Sequence, residues 1–213
     1  MKRLFYQCIK KWFFQNIANA ITVFGLIGTF WLLVVIISNP EQLWLILILA
    51  GLISLSDLID GLAAKRLEIK SNFGSALDRL RDKVFICPLL IILAWYYPEP
   101  LSTASIVVNT LTKALIIVIV LLESLLLTIW LIAIIKKLDV GSNKYGRAKM
   151  FCEFLVVIFW LISLTVKKYL DFSLIHFSIY LIDLIMVVTI YLAIRSLEGY
   201  YQKYNNKCIK KPN

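Results

Sequence analysis

Polar residues are scarce along this chain and fall in clusters, with long apolar stretches between them. Six such stretches run from Ile21 to Ile37, Leu43 to Leu58, Val84 to Tyr97, Ala104 to Ile135, Met150 to Val166 and Leu174 to Ile194. A bilayer's hydrocarbon core is about 30 Å thick and takes roughly 20 apolar residues per crossing helix, which these stretches approach or exceed. They are continuously apolar and lack the period-two alternation of a lipid-facing strand, so a β-barrel is set aside. The pattern predicts an all-α, polytopic membrane protein with six transmembrane helices in one domain spanning 1–213. Within it, residues 1–19 form a juxtamembrane segment, 20–195 the six-helix bundle and 196–213 a basic tail. Lys2, Arg3, Lys10 and Lys11 are interleaved with Leu4, Phe5, Tyr6, Ile9, Trp12, Phe13 and Phe14, a mixture that suits an interfacial amphipathic helix. No small-residue cleavage site follows the first apolar stretch, so the N-terminus reads as retained.

Composition strengthens the membrane assignment. Of 213 residues, 61% are hydrophobic and 17% charged, and the mean hydropathy is +0.83, against roughly half apolar residues in a soluble protein. The formal charge of +10 would suggest nucleic acid if the basic residues were gathered on one soluble surface. Instead they alternate with the apolar stretches. All of the 23 Lys and Arg except Lys113, Lys167 and Lys168 fall before the first stretch, between the second and third, between the fourth and fifth, or after the sixth. By the positive-inside rule those segments and both termini are cytoplasmic, and the charge serves anionic lipid headgroups rather than nucleic acid. Cys8, Cys87, Cys152 and Cys208 are scattered, which indicates neither a zinc site nor a disulfide framework. The single histidine, His176, offers no triad.

The chemistry concentrates at SDLIDGLAAKRLEIKSNFGSALDRLRDK. On a helix Asp57, Asp60, Gly61 and Ala64 share one face, and Gly74, Asp78 and Asp82 share another. Carboxylates at the end of a membrane span are tolerated mainly where they bind something or line a hydrated cavity. Four acids brought together repel unless a cation joins them, and an all-oxygen donor set suits Mg2+ or Mn2+ better than zinc. Four carboxylates allow two ions, an arrangement that recurs in phosphoryl displacement. Gly61, Ala64 and Gly74 would let a phosphate and its nucleotide approach the helix backbone. A solvated loop in which the acids pair with Lys65, Arg66, Arg79 and Arg81 is the plainer alternative, but it leaves the glycines unexplained. A small cation-coupled transporter, with the acids at a broken helix, fits less well because they lie at the cytoplasmic boundary.

These residues resemble the CDP-alcohol phosphotransferases, whose signature reads DxxDGxxAR, eight residues, then GxxxDxxxD. Asp57, Asp60, Gly61, Ala64, Gly74, Asp78 and Asp82 match at every spacing, and Lys65 stands where the family usually has arginine. Lys65 keeps the charge but not the planar fork, and Arg66 lies next to it. The resemblance implies that Asp57, Asp60, Asp78 and Asp82 hold two divalent ions, that Asp82 is the catalytic base, and that the substrates are a CDP-diacylglycerol-type lipid and a small alcohol. It also implies a homodimer.

Three further stretches resemble the phosphatidylglycerophosphate synthase branch. NIANAIT, residues 16–22, is similar to its opening NxPNxxT and would place Asn19 and Thr22 beside the CDP-lipid with Gly61, Ala64, Lys65 and Gly74. LDRLRDK is similar to LDPxADK, with Arg79 and Arg81 as departures. NKYGRAKM, residues 143–150, resembles GKxKT and gives Lys144, Arg147 and Lys149 as acceptor-binding candidates. Gly25 and Leu122 stand where that branch typically carries arginines. Glu123 and Glu153 lie inside apolar stretches, and Glu153 follows Lys149 by one helical turn. The resemblance implies transfer of a phosphatidyl group to glycerol-3-phosphate with release of CMP; a CDP-dependent cardiolipin synthase and a phosphatidylinositol phosphate synthase are the alternatives.

Overall fold

The computed structural model describes residue 20 and residues 23–66, 72–96, 103–135, 144–170 and 175–209; within these, the side chains of 57–78, 103–105, 170, 175–178 and 203–209 fall outside the description. The described residues form six α-helices and no strand: α1 (Val23–Ser38), α2 (Leu43–Arg66), α3 (Asn72–Tyr96), α4 (Thr103–Ile135), α5 (Lys144–Leu170) and α6 (Ile175–Ile209). The amphipathic helix expected over 1–19, with Asn19 and Thr22, lies outside the described residues. Among the described residues three helices are long and apolar enough by themselves to cross a bilayer, over Ile106–Ile135, Lys144–Tyr169 and Ile179–Gln202. Val23–Ser38 and Leu43–Ser56 are shorter apolar helices.

Polarity runs inward. Thr29, Ser54, Thr112, Glu123, Lys149, Glu153, Asp183 and Thr189 are buried, while Phe24, Trp31, Leu121, Ile135 and Leu184 lie more than half exposed. A water-soluble fold does the reverse with its charged groups. In lipid every polar group must find its partner inside the protein, and the hydroxyls do so locally. Thr29 donates to the Gly25 carbonyl at 2.9 Å, Thr165 to Leu161 at 2.7 Å and Thr189 to Ile185 at 2.8 Å, each one turn back along its own helix.

The chain divides into two compact units, 1–89 and 90–213. In the first, α1 turns into α2 through Asn39 and Pro40. The Asn39 N–H donates to Val35 O at 2.8 Å and that of Gln42 to Asn39 O at 3.1 Å, while Gln42 O accepts from Ile46 at 3.1 Å. The helices then pack closely: a Cβ at Gly28 would lie 3.4 Å from Ile53 Cγ1. In the second unit α6 packs against α4 and, more extensively, against α5. Lipid tails are as apolar as leucine, so such packing draws on van der Waals contact and buried polar pairs rather than on hydrophobic driving force. One such pair is Thr112, whose hydroxyl donates to Asp183 Oδ1 at 2.8 Å across 71 residues. Lys113 Nζ lies 5.7 Å from the ring centre of Trp95, a cation–π contact that suits a span end.

Two basic segments are helical. Lys144, Arg147 and Lys149, read from sequence as part of a connecting loop, lie in the first two turns of α5, and the tail from residue 196 continues α6 as far as Ile209. Lys, Arg, Ala and Met are good helix formers, so a charged stretch beside a span extends the helix outward instead of ending it.

Candidate active site on the aspartate-bearing helices

The acidic motif occupies two helix ends. α2 continues beyond its apolar part through Asp57, Asp60, Gly61, Ala64 and Lys65 to Arg66. α3 starts at Asn72 and carries Gly74, Asp78 and Asp82 in its first three turns. The helical backbone gives each set the spacing that the shared-face argument requires. The side chains from Asp57 to Asp78 lie outside the described residues; Asp82 is described and is half-buried. Further along α3, Pro88 removes the N–H that would bond to Val84, between the charged turns and the apolar run that follows.

Arg81, next to Asp82, is 2% exposed. A Cβ placed on Gly25 would lie 2.8 Å from Arg81 Nη1, 3.2 Å from Cδ and 3.4 Å from Cζ. The guanidinium thus fills the place where a side chain at position 25 would begin. Burial pushes the Arg81 pKa down from its ordinary value, and the neighbouring Asp82 carboxylate pushes it back up; an arginine remains charged in either case.

The four-carboxylate set fits a divalent cation by donor chemistry, being all oxygen. Among the described residues no three His, Cys, Asp or Glu side chains gather as a metal site; of the four aspartates only Asp82 has a described side chain.

Comparison with known families decides between the enzyme and the transporter readings, because residues 15–196 match CDP-alcohol phosphatidyltransferase. The chain belongs to this family. A CDP-alcohol phosphatidyltransferase is a transferase of phospholipid biosynthesis, and the family is in general dependent on divalent metal. Comparison with curated proteins gives no significant match. The apolar helices make this phosphatidyltransferase a membrane protein.

The candidate acceptor residues are unlike one another. Lys144 and Arg147 are exposed. Lys149 is 3% exposed and its Nζ donates to Glu123 Oε1 from the facing helix, with Glu153 Oε1 at 3.8 Å one turn further along α5. Glu123 and Glu153 are each 1% exposed. The helix pair of Lys149 with Glu153 was legible from spacing. The bond to Glu123 joins residues 26 apart on two helices, so spacing gave no sign of it. Near the same end of α5, Arg195 lies 5.5 Å from the Tyr145 ring and its Nη1 donates to Glu198 Oε2 at 2.6 Å.

Proposed function

We propose that this protein transfers a phosphatidyl group from a CDP-diacylglycerol-type lipid to glycerol-3-phosphate, releasing CMP. The observation that carries the reading is the family match over 15–196, within which the complete aspartate pattern lies on α2 and α3. Asp57, Asp60, Asp78 and Asp82 would hold one or two Mg2+ or Mn2+ ions, which when bound neutralise charge on the diphosphate. Asp82 takes the proton of the acceptor hydroxyl, and the hydroxyl oxygen forms a bond to the lipid-side phosphorus. The bond from that phosphorus to the bridging oxygen breaks, and CMP leaves with the electron pair. Gly61, Ala64 and Gly74 leave the helix surfaces bare for the CDP moiety, while Lys65, Asn19 and Thr22 complete its surroundings.

Lys144 and Arg147, exposed at the start of α5, support an anionic acceptor, since they are cations available to an incoming phosphate. In this reading both termini and the active site face the cytoplasm, as the distribution of Lys and Arg supports, and the protein works as a homodimer. The commitment of Lys149 to Glu123 leaves fewer such cations than the sequence offers, which favours keeping cardiolipin synthase and phosphatidylinositol phosphate synthase as second readings. The deciding experiment is CMP release by the purified protein from CDP-diacylglycerol with glycerol-3-phosphate, phosphatidylglycerol and inositol phosphate, each with Mg2+ and with Mn2+. Turnover of glycerol-3-phosphate above the others is expected; CMP release with phosphatidylglycerol or inositol phosphate but not with glycerol-3-phosphate would overturn the acceptor.

A further inference from the structure

Glu153 lies inside the apolar span of α5 and is 1% exposed, yet among the described residues neither of its carboxylate oxygens receives a hydrogen bond. The Lys149 ammonium donates to Glu123 and stands 3.8 Å from Glu153 Oε1, beyond bonding range. A small swing of the lysine stem would serve Oε1, and Oε2 would still lack a donor. The buried hydroxyls of the same unit are turned elsewhere, Thr112 to Asp183, Thr165 to Leu161 and Thr189 to Ile185. A carboxylate withdrawn from water without replacement contacts is costly, and inside a span the lipid supplies none. Whatever supplies them is small, because the side chain is closed off from the surface and no substrate or lipid headgroup reaches it. Water alone brings donors but no counter-charge, which a buried carboxylate needs. Carboxylate oxygens are hard donors and select alkali and alkaline-earth ions. Between these the neighbouring ammonium decides, since it repels a double charge twice as strongly as a single one.

We propose that the Glu153 carboxylate binds a monovalent metal cation, sodium or potassium, inside the membrane-embedded part of the second unit. The ion takes the lone pairs that no protein donor fills, and Lys149 keeps its bond to Glu123 undivided. Its role is structural: with Glu153 neutralised, two carboxylates no longer draw on one ammonium, and the folded state gains stability when the ion is present. The site differs from the aspartate set in the charge of its ion and lies on a different helix, and it does not depend on which acceptor the enzyme uses.

Thermal unfolding of the purified full-length protein in detergent tests this, with a chelator to remove divalent ions and with ionic strength held constant by sodium, potassium or N-methylglucamine chloride. The wild-type Tm is expected to rise saturably by a few degrees in sodium or potassium over N-methylglucamine, because an ion that binds only the folded state stabilises it. Glu153→Gln carries no charge and brings its own amide donors, so its Tm should be the same in all three salts and no lower than that of the wild type in N-methylglucamine. Glu198→Gln is the control: Glu198 is exposed and paired with Arg195, and its removal should leave the full response to sodium. Equilibrium dialysis against radiolabelled sodium should show binding by the wild type that Glu153→Gln lacks. Glu153→Asp keeps the charge and withdraws it by one methylene, so it should raise the half-saturating sodium concentration several-fold, which keeps the proposal testable if the glutamine variant does not fold. A wild-type Tm equal in all three salts would overturn the proposal and leave Glu153 to a proton or to water. A sodium response that survives in Glu153→Gln, or a midpoint unchanged in Glu153→Asp, would overturn it by placing the ion elsewhere.

Discussion

Lys149 on α5 donates to Glu123 on α4, with both side chains all but inaccessible and Glu153 at 3.8 Å from the same ammonium. Two carboxylates share one cation. Removing the cation takes away the ammonium that both carboxylates face, and breaking a buried pair costs about 3 to 5 kcal/mol. Lys149→Ala is therefore expected to lower the Tm of the detergent-solubilised protein sharply, whereas Glu153→Gln, which removes the surplus charge and keeps the shape, should leave Tm unchanged or raise it. A Lys149→Ala protein as stable as the wild type would count against this account of the cluster.

Arg147 is the contrasting case on the same helix, exposed and two positions from Lys149. If it carries the acceptor's phosphate, losing a charge-assisted contact should cost about 2 kcal/mol. Arg147→Ala should then raise the acceptor KM by tens of fold without moving Tm or the CDP-lipid KM. Steady-state kinetics with each substrate varied in turn would read this, and an unchanged acceptor KM would remove Arg147 from the acceptor site.

The aspartate set predicts a sharp metal requirement. Chelation should abolish CMP release and either Mg2+ or Mn2+ should restore it. Asp57→Asn, Asp60→Asn and Asp78→Asn should each remain inactive at saturating metal while keeping the wild-type helical circular dichroism, because an amide is a poor replacement for an anionic ligand to a hard cation. Full activity in any two of them would rule out a shared metal site.

Thr112 and Asp183 make a buried bond between α4 and α6, with the hydroxyl as donor. Asn at 183 retains an oxygen that can accept it, so Asp183→Asn should be close to neutral in stability. Thr112→Val removes the donor and leaves the carboxylate to find another, at a cost of about 1 to 2 kcal/mol, the range seen for hydrogen bonds between membrane helices. Thermal unfolding of the two variants side by side checks the order; a more damaging Asp183→Asn would mean that the negative charge itself matters there.

Apolar runs long enough to span a bilayer determined by themselves that α4, α5 and α6 would be helices, because in lipid a helix satisfies its own backbone and needs no partner to do so. The aspartate spacing determined in the same way which residues share a helix face: i, i+3 and i+4 are fixed by helical geometry wherever a helix forms, and α2 and α3 extend through those positions. What spacing could not give was the partner of any polar group on a second helix. Asp183 has no neighbour in sequence to explain it, and Thr112 lies 71 residues away; Lys149 looks like a free cation until Glu123 is brought beside it. Gly25 looks like a missing charge until α3 lays the Arg81 guanidinium against it. These three relations depend on which helices touch and at what height. That is decided by packing, in which every buried polar group must be matched from whatever element lies opposite, and no local pattern within one helix encodes it.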